Sequence, residues 1–307
     1  MKDLITTARI GFNVNKINPL WYLAMGIVTM ALTHMSFSIE IMAWISSVPF
    51  LIYLSLTKGW KSRLTFSFAL LVAWSSVVTK IVTDPIPLVL VFLYSIPLSL
   101  FHLPGYLLWS KFKNQKNALF VFPAVMVILE WVQYSFTPFA SWGIAAYTQH
   151  DNLPLIQTVS LFGLAGLSFL IYWVNASIAN IIVERKLSFS TFQLPALVML
   201  LLIVFGAVRY NISKTKIIET ITVAAIGTDS EVSGLPLPTA ENNQRIKTSL
   251  FNRTRIAAKG GAKIISWTEA STFIMPEDEA EWVSSLQDLA AKLNITLVAA
   301  YVVPISI

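Results

Sequence analysis

The sequence predicts a polytopic α-helical membrane bundle of about seven N-terminal transmembrane helices, followed by the first part of an α/β domain. Three observations carry that prediction. Of 307 residues, 55% are hydrophobic and 12% charged, where an ordinary soluble domain carries about 25% charged residues. Apolar stretches recur before residue 210 at lengths near the roughly 20 residues that a hydrocarbon core of about 30 Å requires. From residue 217 the composition turns polar, and the hydrophobic pattern shortens to strands and amphipathic helices. The boundaries are set accordingly at 1–210 for the membrane domain and 217–307 for the second domain.

The net charge of +6 divides unevenly, with 15 basic and 6 acidic residues in 1–216 against 7 and 10 in 217–307. Positive charge concentrated in the apolar part reports membrane orientation and argues against a nucleic-acid partner. There is no cysteine, so this sequence holds no disulfide, thiolate metal site or cysteine nucleophile.

The seven apolar stretches run approximately from Leu20 to Phe37, Ile41 to Leu56, Leu64 to Ile81, Ile86 to Leu103, Ala118 to Tyr134, Leu161 to Ile182 and Leu194 to Val208. The first follows Lys2, Arg9 and Lys16 without a small-residue cleavage site, as an uncleaved span does. Lys2, Arg9, Lys16, Lys58, Lys61, Arg63, Lys111, Lys113, Lys116, Arg185 and Lys186 fall in one set of alternate loops, and up to the seventh stretch Lys80 alone falls in the other. That asymmetry predicts a cytoplasmic N-terminus and, after seven crossings, a C-terminal domain on the far side of the membrane.

Glu130, near the end of the fifth stretch, is the one acidic residue within a span. A carboxylate there faces a cavity or partner, or sits at headgroup level beside Trp131 and Tyr134. His34 and His102 have no companions at metal-ligand spacing, which favours structural or interfacial roles, and no metal site or cofactor is expected. The stretch after Thr137, PFASWGIAAYTQHDNLP, is too polar to span. It suits an interfacial or re-entrant element at a cavity mouth, or an ordered loop.

In the second domain, 221–226 reads as a buried strand and 240–258 as a helix carrying Ile246, Leu250 and Ala257 on one face. Gly260 and Gly261 cap that helix; a phosphate loop would precede one. AKIISW at 262–267 is a second strand, followed by Thr268 and Glu269. Pro276, Glu277, Asp278 and Glu279 suit a helix start, with Trp282, Leu286, Leu289 and Leu293 repeating along one face. Asn294 ends it, and 295–303 is a third strand. The order β-α-β-α-β implies parallel strands, and three strands with two helices form an incomplete layer. No GxGxxG, Walker loop, HExxH, CxxC or GxSxG occurs. Glu269 stands at the C-terminal end of a buried strand, where open α/β folds assemble their sites.

Several groups of residues, taken together, resemble apolipoprotein N-acyltransferase. They are Leu129-Glu130-Trp131, then Trp142, Tyr147-Thr148-Gln149 and Pro154-Leu155, then Phe162-Gly163, Gly166-Leu167-Ser168-Phe169 and Asn175-Ala176, and finally Ile264 to Glu269. The resemblance covers nearly the whole chain. It implies a carbon–nitrogen hydrolase (nitrilase-like, α-β-β-α sandwich) domain in 217–307, outside an inner membrane, with a Glu-Lys-Cys triad whose general base is Glu269. It further implies a phospholipid acyl donor and a diacylated lipoprotein acceptor, with Glu130, Trp142, Tyr147 and Gln149 at a membrane cavity. Departures are Thr268 in place of the usual proline, Phe139-Ala140-Ser141 in place of Gly-Phe-Pro, and no tryptophan in 227–237. The triad's lysine and cysteine and the family's last membrane helix are also missing, which leads to the expectation of a truncated or split form, inactive alone or completed by a downstream polypeptide. Alternatives are a non-enzymatic membrane protein that binds lipid or a partner, and a transporter.

Overall fold

Asn18 opens the first helix by accepting the Leu20 N–H on its side chain, and Pro19 supplies a pre-set φ at the first helical position. This helix begins a mainly helical chain whose computed structural model describes residues 14–82, 87–115, 117–215, 219–227 and 239–304. Two units divide it at residue 216, and each is taken by itself. Lys2, Arg9, Lys116, Ile86 and 228–237 lie outside the described residues.

The first unit contains α1 (Pro19–Ala31), α2 (Val48–Leu56), α3 (Trp60–Val78), α4 (Leu90–Phe112), α5 (Ala118–Phe136), the short α6 (Leu153–Ile156), α7 (Val159–Glu184) and α8 (Leu194–Thr215). Each of the seven apolar stretches contains a helix. Four are long and apolar enough to cross a bilayer: Leu90–Phe112, Ala118–Phe136, Val159–Glu184 and Thr191–Ser213. They make this a membrane protein.

The first two stretches differ from expectation. Residues 20–37 do not run as one helix, because His34, Met35 and Phe37 take left-handed φ values of 54°, 57° and 55°. The second stretch is a 3₁₀ turn, Glu40–Trp44, followed by the nine residues of α2. Carbonyls freed by the break are collected from a distance, since Lys80 Nζ donates to Thr33 O and His34 O at 2.7 and 2.6 Å. Asn175 of α7 does the same for the turn before α2, accepting the Ser47 N–H and donating to Ala43 O, each at 2.9 Å.

Packing in this unit centres on aromatic and aliphatic side chains from α2, α3, α4, α5 and α7, including the fully buried Phe50, Phe66, Trp74, Phe122 and Met126. Pro97 and Pro104 within α4 and Pro123 within α5 remove backbone donors, which neighbouring helices allow in membrane segments. Helix α7 is kinked at Gly163, whose φ of 64° and ψ of −171° are non-helical.

The second unit folds as β1 (Val223–Ile226), α9 (Ala240–Lys259), β2 (Ile264–Trp267), α10 (Glu279–Leu293) and β3 (Thr296–Val298). Its strands are parallel in the order β1-β2-β3, with Val223 opposite Ile264 and Ile264 opposite Thr296. Thr239 caps α9 by accepting the Asn242 N–H, Gly261 follows it at φ 92°, and Asn294 closes α10 in the left-handed region. The third strand is shorter than its sequence suggests. Past Val298 the chain leaves the ladder and returns only as a bridge between Val302 and Phe273.

One face of the sheet presents Ile226, Ile265 and Trp267 to Leu250, Trp282 and Leu286 of the two helices. Trp267 Nε1 donates to Thr254 Oγ1 at 2.9 Å inside that core. On the other face Val223, Ile264 and Val298 are exposed.

A close approach of backbone to backbone fixes α8 in the first unit. A Cβ at Gly206 would lie 1.7 Å from Pro154 O of α6, and a carbonyl oxygen cannot rotate away as a flexible side chain can. Gly206→Ala is therefore expected to destabilise the chain by about 1–3 kcal/mol, the usual cost of overpacking, read as a lower unfolding midpoint in detergent. An unchanged midpoint would show that α8 does not dock on the Leu153–Ile156 turn.

Candidate functional site

Between α5 and α7 the chain runs through an irregular segment, 137–152, that includes the 3₁₀ turn Ala145–Gln149. It is ordered by side chains from both flanking helices. Glu130 and Gln133 lie one turn apart on α5 and are both buried. Glu130 Oε1 accepts the Ala145 N–H at 2.9 Å and the Tyr172 hydroxyl at 2.8 Å. Gln133 Nε2 donates to Ala140 O at 3.1 Å and to Trp142 O at 2.6 Å. From α7, Ser168 Oγ accepts the Ala146 N–H at 3.1 Å. Five backbone or side-chain groups at this depth are thus satisfied within the protein, where each left unpaired would cost several kcal/mol, roughly.

Gln149, also buried, ties the far end of the segment to the broken stretch near residue 40. Its Nε2 donates to Glu40 O at 2.9 Å and its Oε1 accepts the Trp44 Nε1–H at 3.1 Å. Trp142 and Tyr147, by contrast, are partly exposed and line a pocket of about 320 Å³ with His34, Met35, Ser38, and His150. The Trp142 ring lies 5.4 Å from that of Tyr94, and Tyr147 OH donates to Ser141 Oγ at 3.2 Å.

A second, more apolar pocket of about 240 Å³ is lined by Glu130 with Val127, Trp131, Tyr134, Leu164 and Ala165. Ile144 lines both pockets. Glu130 thus faces the interior, while Trp131 and Tyr134 on the same helix are exposed. The four membrane residues named from sequence separate into two roles. Trp142 and Tyr147 form the wall of one pocket, whereas Glu130 and Gln149 hold the backbone that carries that wall.

Sequence reading missed His34, His150 and Gln133 as parts of this arrangement. Gln133 carried a usable signal, being three residues beyond Glu130 and so on the same helix face. Among the described residues no three His, Cys, Asp or Glu side chains come together as metal ligands.

In the second unit Glu269 is exposed, in the turn just past the C-terminal end of the central strand β2. That turn is pinned from two sides. Ser271 N–H donates to Ala300 O at 3.3 Å, and Asn243 of α9 accepts from the Phe273 N–H at 3.2 Å and donates to Phe273 O at 2.6 Å. Nearby in sequence to Ala300, burial and a hydrogen bond to Glu279 push the Tyr301 phenol above its ordinary pKa. Glu269 itself is presented to solvent on a rigid base, with no hydrogen-bond or ion-pair partner among the described residues.

The anchoring role of Glu130 has a measurable consequence. Glu130→Gln keeps an oxygen for the Ala145 N–H and the Tyr172 hydroxyl, so its stability should stay within about 1 kcal/mol of the parent. Glu130→Ala orphans two buried donors at about 1–3 kcal/mol each and should lower the unfolding midpoint in detergent well below that of the glutamine variant. Equal midpoints for the two variants would remove Glu130 from the anchoring role.

Comparison with known proteins bears on the same region. The family described as apolipoprotein N-acyltransferase N-terminal domain matches residues 26–177, which take in α2 to α5, segment 137–152 and most of α7. The apolipoprotein N-acyltransferase of Bradyrhizobium diazoefficiens is 32% identical over 145 residues, covering 42% of this chain and 26% of that protein. Those of Geobacter metallireducens and Borreliella burgdorferi are 26% and 25% identical over 191 and 192 residues, covering 58% and 59% of this chain and 35% of each relative. The chain therefore spans about a quarter to a third of the length of the curated relatives it matches. On these matches the chain is similar to apolipoprotein N-acyltransferases, and the family match spans the part that builds the two pockets.

Proposed function

We propose that this chain is the membrane part and the beginning of the hydrolase-like part of a lipoprotein N-acyltransferase. The activity in question moves a fatty acyl chain from a phospholipid to the N-terminal amine of a diacylated lipoprotein. The observation that carries this reading is the family match over 26–177, because it coincides with the elements that hold Glu130, Trp142, Tyr147 and Gln149. An apolar pocket beside a mouth lined by Trp142 and Tyr147 suits a lipid with one apolar and one polar end.

The second unit, 217–307, is assigned to the nitrilase-like fold. Its bare face, with Val223, Ile264 and Val298 exposed, suits a second layer packed against it, as an α-β-β-α sandwich has. Glu269 is assigned as general base. It would take the proton from a thiol as the sulfur attacks the phospholipid ester, give it to the oxygen of the departing lysophospholipid, and later carry the proton of the attacking amine to the thiolate that leaves as the amide forms. No cysteine occurs in this sequence, so the thiol, and with it the lysine that stabilises the oxyanion, would come from residues outside it. Such residues belong to a longer chain or to a separate polypeptide. Removing the nucleophile from a set of groups that act together forfeits nearly all the rate advantage, and the 307 residues alone are assigned no turnover.

The membrane is taken to be the inner membrane, crossed seven times, with the N-terminus in the cytoplasm and 217–307 in the periplasm. Lys16, Lys58, Lys61, Arg63, Lys111, Lys113, Arg185 and Lys186 support the orientation by the positive-inside rule. A reporter fused after Lys113 is expected to be cytoplasmic and one after Lys216 periplasmic; the second in the cytoplasm would overturn the seven-span reading.

Activity is tested by co-expressing the chain with a polypeptide that supplies the lysine and cysteine, then assaying acylation of a diacylated lipopeptide. Glu269→Gln should abolish transfer, because the amide keeps the shape and loses the base, while Glu277→Gln on the first turn before α10 should change it less than about twofold. Like behaviour of the two variants would deny Glu269 a catalytic role and favour a non-enzymatic protein that binds lipid or a partner.

A further inference from the structure

Of the six side-chain polar atoms buried without a protein partner among the described residues of the first unit, three line one place: His34 Nε2, His102 Nε2 and Trp74 Nε1. Their residues are 9%, 4% and 0% exposed. The Trp74 ring lies between the two histidines, with centroids 5.5 Å from His34 and 4.7 Å from His102. All three residues line one enclosed cavity, together with Ser46, Ser47 and Tyr106. The other polar groups on that wall are already engaged, Ser46 Oγ with Ala43 O and Ser47 Oγ with Tyr106 OH.

The hydrogen bonds on the far side of each ring fix what these atoms offer. Thr33 Oγ1 lies 2.7 Å from Met30 O, and with its proton given to that carbonyl it accepts from His34 Nδ1 at 2.6 Å. His102 Nδ1 lies 2.8 Å from Leu98 O, and a carbonyl only accepts. Both neutral imidazoles therefore carry the proton on Nδ1 and turn a bare Nε2 lone pair to the cavity. Trp74 Nε1 can only donate.

The cavity thus asks for an occupant that donates twice and accepts at least once. A carbonyl or a proton-free anion such as chloride cannot donate, a protonated oxyanion is too large for so small a cavity, and an ammonium ion cannot accept. A metal ion would suit the two lone pairs, but it would face the indole N–H, a wall without carboxylates, and the nearby ammonium of Lys80 on the His34 carbonyl. Space narrows the choice further, because the centre of a water-sized body has about 10 Å³ available, close to the least that admits one water.

We propose that His34, His102 and Trp74 hold a single buried water, which donates to the two Nε2 atoms and accepts the indole N–H. The position of His34 gives this water a use. His34 sits in the left-handed region at φ 54° and also lines the pocket of Trp142 and Tyr147. The water fastens that strained residue to α3 through Trp74 and to α4 through His102, and so braces one wall of the pocket from inside.

The chain has three histidines, so ring-¹⁵N-histidine labelling gives three resolvable side chains, with exposed His150 as reference. In lipid bilayers, solid-state NMR of the full chain is expected to show His34 and His102 protonated at Nδ1 and bare at Nε2, with magnetisation passing from water to both rings. His102→Phe fills the cavity with an apolar ring and should abolish the transfer at His34, whereas His150→Phe should leave it unchanged. A protonated Nε2 on either buried ring, or no transfer from water to either ring in the parent chain, overturns the proposal without recourse to a variant. Added Co²⁺ that broadened His34 and His102 before His150 would overturn it in favour of a metal site.

Discussion

Every backbone amide and carbonyl that leaves a helix within a bilayer must find a partner inside the protein, and this requirement organises the first unit. Two irregular segments, 32–47 and 137–152, show it best. Lys80 and Asn175 serve the first and Glu130, Gln133 and Ser168 the second, while Gln149 joins the two. Helix geometry makes the supply economical. Residues 130 and 133 share one face of α5, and 168, 172 and 175 share one face of α7, so two packed helices supply donors and acceptors to both segments, Asn175 to the first and Glu130, Gln133 and Ser168 to the second. The polar interior of the bundle is in this sense the counterpart of its irregular backbone.

The same principle explains what could be read from the sequence and what could not. Hydropathy sums the transfer preference of side chains and says little about the path of the backbone between them. All seven apolar stretches contain helices, but the break at 32–39 was hidden because Leu32, Met35, Phe37 and Ile39 kept the stretch apolar. Thr33, His34, Ser36 and Ser38 were the signal, and four small or polar residues among apolar ones also occur in intact spans. Glu130 stood out because it is charged. Gln133 and Asn175 did not, since a neutral amide in a span becomes legible as an anchor only when the carbonyl it serves is known.

The second unit was easier to read because its helices are amphipathic and its turns carry strong local signals. Pro276, the acidic residues that follow, and the period of Trp282, Leu286 and Leu289 mark α10 closely, and Gly260 and Gly261 mark the end of α9. The third strand was overestimated for a physical reason. Its residues are apolar throughout, which is equally consistent with a ladder partner and with the extended return that ends in the Val302–Phe273 bridge. Burial on one side of the sheet only, with Val223, Ile264 and Val298 in the open, is a costly state for apolar side chains. It accords with the two-layered sandwich proposed for this unit.

Two carboxylates drew attention in the sequence, and their surroundings separate positioning from chemistry. A general base needs a lone pair free to meet a proton and a path by which the donor can approach it. Glu130 spends Oε1 on the Ala145 N–H and the Tyr172 hydroxyl, which holds it still and commits it to the fold. An acid at membrane depth is commonly read as a sign of function, yet here its position is explained by the loop it supports. Glu269 has the opposite character, for it is exposed at the end of the central strand on a turn that Asn243 and Ala300 keep in place. A fixed backbone with an exposed carboxylate is compatible with the role of base proposed for it. The burial that makes Glu130 conspicuous is therefore the reason to look for the chemistry elsewhere.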